Sequence, residues 1–183
     1  MGWKEELFPV VKLLSRETFP LKNFRFTLYA AKFASCAKTY MAKLSILVAE
    51  DDSDDRFLLQ TAFTAKGYTD QLDFVENGVE LMDHLHNIHN GKNTGSSFPY
   101  LILLDLNMPK KDGREALGEL KRHPVLKKIP VVVFTTTKSE AEVKRCYELG
   151  ANTYIVKPVS FEKLLEVLEN IRSYWSATAA IPW

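Results

Sequence analysis

The stretch Tyr100-Leu101-Ile102-Leu103-Leu104-Asp105 decides the fold: a near-continuous apolar run that stops on a carboxylate. Three other segments share the pattern. Leu44-Ser45-Ile46-Leu47-Val48-Ala49 stops at Glu50-Asp51, Val131-Val132-Val133-Phe134 stops at Thr135-Thr136, and Tyr154-Ile155-Val156 stops at Lys157-Pro158. Runs that do not alternate are those of parallel strands buried on both faces. In an open parallel sheet, ligands bind in the crevice outside the carboxyl ends of the strands, so the residues that end these runs converge on one place.

Helix-period segments lie between the strands. Phe57, Leu58, Thr61, Ala62 and Ala65 form a stripe on a first helix from about Ser53, the expected N-cap, to Lys66. A second strand, Leu72 to Val75, precedes a helix from Gly78 to about Ile88, and Asn90 to Ser97 reads as a polar loop. Arg114 to Arg122 suits a third helix, Lys138 to Leu149 a fourth stopped by Gly150, and Ser160 to about Trp175 a fifth with Phe161, Leu164, Leu165, Leu168 and Ile171 on one face. Strand and helix alternating five times predict an α/β fold, a doubly wound parallel sheet covered on both faces, with right-handed crossovers.

With 183 residues, 46% of them hydrophobic, the chain suits one domain with a sizeable core and leaves no room for a separate output domain. No stretch of 18 uncharged apolar residues is present, which argues against a transmembrane helix. Cys36 and Cys146 have no metal-like spacing and form no disulfide framework, as expected of a cytoplasmic protein. No internal repeat is visible.

Residues 1 to 40 stand apart, with seven Lys or Arg against three acids. That net +4 leaves residues 41 to 183 at −3 of the chain's total of +1. Either Met41-Ala42-Lys43 is the real start and the upstream segment an over-extended reading frame, or the segment is a genuine basic, partly helical extension. A lipoprotein signal ending Phe33-Ala34-Ser35-Cys36 is opposed by Arg25 and Lys32, which interrupt any apolar core. The expected division is a 1–40 extension, a 41–175 domain and a 176–183 tail.

The chemistry follows from the strand ends. Glu50, Asp51 and Asp105 would repel one another unless a hard cation sat among them. Mg²⁺ takes one or two carboxylates plus waters and phosphate oxygens. Lys157 supplies a point charge for a phosphate oxygen and the Thr135 hydroxyl a hydrogen bond. An aspartate is also an established nucleophile toward phosphorus, and phosphoryl transfer needs chiefly positioning and charge neutralisation. The blander reading of Glu50-Asp51-Asp52-Ser53-Asp54-Asp55 is a set of acids decorating a helix N-terminus, and Asp54 and Asp55 fit it. An EF-hand loop is excluded: counting from Asp51, the sixth position is Arg56 and the twelfth Ala62.

From Met41 onward the chain resembles the receiver domain of two-component response regulators. The resemblance rests on Ile46-Leu47-Val48-Ala49-Glu50-Asp51; Leu103-Leu104-Asp105-Leu106-Asn107-Met108-Pro109 with Asp112-Gly113; Pro130 to Thr135; and Gly150-Ala151-Asn152 leading to Tyr154-Ile155-Val156-Lys157-Pro158. It implies a flavodoxin-like (βα)5 fold with strand order 2-1-3-4-5 and Asp105 as phosphoacceptor. The implied Mg²⁺ ligands are Asp51, Asp105 and the backbone carbonyl of Asn107, with Glu50 acting through water. Thr135 and Tyr154 become a switch pair in which the hydroxyl and then the ring move inward. Lys157 becomes the phosphate contact, and the Lys157-Pro158 bond is implied to be cis.

The insertion Asn90 to Phe98, the run Met108 to Ala116 and the ending Phe161 through Trp175 resemble the small stand-alone regulators associated with phytochrome kinases. That implies a phytochrome-type sensor histidine kinase as phosphodonor and a homodimer through the fourth helix, fifth strand and fifth helix. Tyr147 is a candidate contact there or an intramolecular packing residue, and Trp175 and Trp183 either anchor a partner or pack back on the domain. His84, His86 and His89 read as surface histidines. The net charge of −3 and the lack of a DNA-reading module disfavour nucleic-acid binding.

Two rival functions remain. A phosphorylation-independent receiver-like scaffold is opposed by the complete acidic pair, acceptor, hydroxyl and lysine. An aspartyl-phosphate hydrolase of the haloacid dehalogenase type needs a second acid where this chain has Asn107.

Overall fold

The computed structural model describes residues 44–92 and 98–180. Expectations about residues 1–40, the middle of the polar loop and Trp183 lie outside the described residues. Five parallel strands, β1 (Ser45–Ala49), β2 (Gln71–Val75), β3 (Leu101–Leu104), β4 (Val131–Thr135) and β5 (Thr153–Val156), form one sheet in the order β2-β1-β3-β4-β5. They alternate with α1 (Ser53–Ala65), α2 (Gly78–His89), α3 (Gly113–Arg122), α4 (Glu140–Glu148) and α5 (Phe161–Ser173).

Strand periodicity divides the core between the two faces. Leu47, Ala49, Ile102, Leu104, Val131 and Val133 pack with Leu81 and Leu85 of α2, Leu117 of α3 and Cys146 of α4. Ile46, Val48, Leu101, Leu103, Val132 and Phe134 pack with Leu59 and Phe63 of α1 and Leu164, Leu168 and Ile171 of α5. Strands β3 and β4 are buried throughout, whereas the edge strand β5 is half-buried at every position. This explains why the central runs are purely apolar while β5 carries Thr153 and Tyr154.

The caps fix where each helix leaves the sheet. Asp52, not Ser53, caps α1, accepting from Asp54 N at 2.7 Å and Asp55 N at 3.3 Å; a carboxylate satisfies two orphan amides where the shorter hydroxyl satisfies one. Asp112 caps α3, accepting from Arg114 N and Glu115 N, and starts that helix at Gly113. The fourth helix begins at Glu140 after Ser139 and ends before Gly150, whose φ of +99° only glycine adopts without strain. After α5 the chain closes in a π-helical turn, Tyr174–Thr178, that buries Trp175 against the α1–α5 face; this Trp packs on the domain. A 3₁₀ turn at Leu126–Lys128 precedes β4.

Candidate functional site

At the carboxyl edge of the sheet, Glu50 follows β1 and Asp105 follows β3, their backbones tied by bonds from Glu50 N to Val75 O and from Asp105 N to Ala49 O, both 2.9 Å. Both acids are buried, and Asp51 beside them is exposed. One carboxylate oxygen from each of the three lies within 4.8 Å of the others. Lys157, after β5, donates from Nζ to Glu50 Oε2 at 2.5 Å and lies 3.8 Å from Asp105 Oδ1.

The acidic run suggests helix decoration for Asp55, but its carboxylate accepts from Lys157 Nζ at 2.6 Å. The signal available was that Asp52 alone suffices to cap α1, leaving Asp55 one turn in to face the cleft. Arg56 adds a clamp: its guanidinium donates to the carbonyls of Glu50 and Asp51, each at 2.8 Å, and pairs with Glu76 at 3.0 Å.

Burial pushes the Glu50 carboxyl up to about 7, against the pull of the Lys157 ammonium. Burial also works against the Lys157 charge, yet its bonds to Asp55 and Glu50 outweigh that and hold the ammonium above its ordinary value. Two atoms stay unsatisfied. Asp105 Oδ1 and Thr135 Oγ1 are buried without a hydrogen-bond partner, the 3.8 Å separation from Lys157 being too long for one. Asp105 Oδ2, by contrast, accepts from Asn107 N at 3.1 Å. A buried polar atom without a partner costs about 1–3 kcal/mol, so the site carries a deficit that an incoming group relieves.

The carboxylate-rich donor set and the unsatisfied Asp105 oxygen suit a hard divalent cation, and an ion with phosphate oxygens would pair the Thr135 hydroxyl. Among the described residues no other cluster of acidic, histidine or cysteine side chains is arranged to hold an ion. His86 and His89 instead lie against His123, with ring centroids 5.7 and 5.3 Å away.

The acceptor loop is shaped by Gly113. A Cβ there would sit 2.1 Å from Asp105 O, so any side chain would displace the Asp105 backbone. On the neighbouring loop, the Tyr154 hydroxyl donates to Thr137 O at 3.0 Å, and Asn107 Nδ2 donates to Thr137 Oγ1 at 3.3 Å. Tyr147 is half exposed, and its hydroxyl accepts from Tyr154 N at 3.3 Å. The expected cis bond at Pro158 is corrected: every peptide among the described residues is trans, the ordinary preference of even an X–Pro amide by about 0.5–1 kcal/mol.

The sequence model of the response regulator receiver domain matches residues 46–169. The chain is 40% identical over 130 residues to the probable methanogenesis regulatory protein FilR2 of Methanothrix harundinacea, a match covering 71% of this chain and 82% of that one. It is 40% identical over 137 residues to response regulator Rcp1 of Synechocystis sp., covering 75% and 92%. The Mn²⁺-bound structure of Rcp1 matches with a TM-score of 0.67, at 39% identity over 76% of this chain and 99% of that one. The phosphorylated cyanobacterial phytochrome response regulator RcpA matches with a TM-score of 0.70, at 39% identity over 78% of this chain and all of that one. The order of the five parallel strands, the acids gathered at their carboxyl edge and these matches lead to one conclusion: the chain belongs to the response regulator receiver domain family of two-component signalling.

Proposed function

We propose that residues 41–175 form a single-domain response regulator that accepts a phosphoryl group on Asp105 from a sensor histidine kinase and signals by a conformational switch. The observation that carries this reading is the buried, unpartnered Oδ1 of Asp105, flanked by Glu50, Asp51 and Lys157. In the step itself, a carboxylate oxygen of Asp105 forms the new P–O bond as the P–N bond to the donor imidazole breaks. The electron pair and a proton go to that imidazole.

Asp51, Asp105 and the Asn107 carbonyl would hold Mg²⁺, with Glu50 acting through water, and the bound ion would supply positive charge to the phosphate oxygens. Lys157 exchanges a carboxylate partner for a phosphoryl oxygen, and Thr135 donates its unused hydroxyl to another. Thr135 moving inward lets the Tyr154 ring follow, which breaks the bond from its hydroxyl to Thr137 O and changes the surface around α4 and β5.

The similarity to Rcp1 and RcpA supports a phytochrome-type kinase as donor, while the equal identity to FilR2 keeps the sensor class a matter for experiment. We extend the reading to a cytoplasmic protein that neither turns over a substrate nor binds DNA, and that dimerises through α4, β5 and α5. Among the described residues no helix is long and apolar enough to cross a membrane.

Purified chain incubated with phosphoramidate should gain one phosphoryl mass with Mg²⁺, none with EDTA and none in Asp105→Asn. Size-exclusion chromatography of the adduct reads dimerisation. A folded wild type that binds beryllofluoride yet gains no adduct would defeat the phosphoacceptor reading and leave the scaffold.

A further inference from the structure

The domain has a second polar concavity, far in character from the acidic one. A groove of about 400 Å³ runs between α3 and α4, within the range of small-ligand sites. Its lining carries four cations, Lys111, Arg114, Arg122 and Arg145, against two acids, Glu115 and Glu119, net +2 on a body of residues 41–183 that carries −3.

Half of that positive charge is neutralised internally. Lys111 pairs with Glu119, and Arg114 pairs with Glu142 of α4. Arg122 on α3 and Arg145 on α4 are exposed and have no ion pair among the described residues. The two unpaired guanidiniums thus come from the two opposite walls.

The floor between them is formed by Gly118, which is buried, and Leu149. Gly118 puts no side chain into the groove, and a Cβ there would meet Leu149 Cδ2 at 3.5 Å and the Arg122 guanidinium nitrogens at 3.8 and 4.0 Å. The guanidinium therefore lies over the glycine beside Leu149. A planar fork of donors next to an apolar shelf suits a phosphate joined to a flat organic group, since guanidinium binds phosphate bidentately and is weakly hydrated for a cation.

We propose that this groove binds a small organic phosphate, held by Arg122 and Arg145 from the two helices, with its apolar part against Leu149. The wall it touches also reaches the acceptor loop: Arg114 Nη1 lies 3.5 Å from Leu106 O, next to Asp105.

The test is calorimetric titration of the full chain with adenosine triphosphate and with pyrophosphate, in EDTA so that no metal bridges phosphate to the acidic site. The Asp105→Asn chain, run in parallel, should bind as the wild type does, which separates this proposal from the phosphoacceptor reading. Saturable binding weakened about tenfold or more by Arg122→Gln with Arg145→Gln is the expected result, each lost charge-assisted contact being worth roughly tenfold. Both arginines are exposed, so circular dichroism should show an intact fold. Gly118→Leu, whose Cβ makes only ordinary contact, should fill the groove and abolish binding with every charge retained. No saturation by wild type at millimolar ligand, or equal binding by the double variant, would overturn the proposal. So would binding of an acidic peptide with neither small phosphate bound.

Discussion

Two half-buried lysines at opposite edges of the same sheet behave in opposite ways. Lys157, at the carboxyl edge, faces Glu50, Asp55 and Asp105, and its charge is held above the ordinary lysine value. Lys121, at the amino edge, faces no carboxylate: it donates to Ile129 O at 2.8 Å, Asn152 Oδ1 at 3.1 Å and Lys127 O at 3.3 Å, and burial pushes its ammonium down to about 8. Asn152 Oδ1 in turn accepts from Val131 N, and Asp70 at the same edge takes Leu44 N and the Arg172 guanidinium. Lys121, Asn152 and Asp70 are spent on their neighbours, whereas the carboxyl edge leaves Asp105 Oδ1 and Thr135 Oγ1 without a partner; beyond α5, Ser176 Oγ is also buried without one. What sets the carboxyl edge apart is that its two unsatisfied atoms lie together beside three clustered carboxylates and a lysine, a place that offers partners to a ligand.

The contrast is sharpest where a single partner is removed. Asp70→Ala removes the carboxylate that pairs with the buried Arg172, which also stacks 4.4 Å from the centre of the Tyr68 ring, and should destabilise the domain by about 3–5 kcal/mol in urea unfolding while leaving phosphorylation per folded molecule unchanged. Lys157→Met should slow phosphorylation by phosphoramidate by about a hundredfold or more, as loss of one preorganised charge-stabilising donor does. Lys121→Met leaves Ile129 O and Asn152 Oδ1 short of a donor and should cost about 1–3 kcal/mol of stability with no change in that rate. If Lys121→Met slowed phosphorylation as Lys157→Met does, the two edges would not be separable.

The smallest effect is a pH dependence. Below about pH 8 the Lys121 ammonium is charged in the folded and unfolded chains alike, and the full cost of burying it is carried. Between about 8 and the ordinary lysine value of 10.5, the unfolded chain keeps a proton that the folded chain has lost, so stability rises with pH. Unfolding curves across that window should show the rise in wild type and lack it in Lys121→Met.

The sequence made the sheet legible because parallel central strands, buried on both faces, have no freedom to alternate. Their apolar runs end where the backbone leaves the core, which placed Glu50, Asp51, Asp105, Thr135 and Lys157 at one edge. Strand order came from the resemblance, since periodicity is blind to which strands pair. Contacts between distant residues stayed hidden for the same reason: Asp55 and Lys157 are 102 positions apart, as are Asp70 and Arg172. The cap of α1 was misplaced by one residue because Asp52 and Ser53 both suit the role, and only the backbone's extended geometry at Asp52 decides. Lys121 gave no sign of burial, because a lysine near a helix end normally reads as solvated.

Asp105 should be the one reactive carboxylate among the acids at the carboxyl edge. Reductive trapping with borohydride after phosphoramidate and Mg²⁺, followed by peptide mapping, reads this directly. A single modified position, Asp105, is expected in wild type. Trapping at Glu50, Asp51 or Asp55, or at several acids equally, would contradict it.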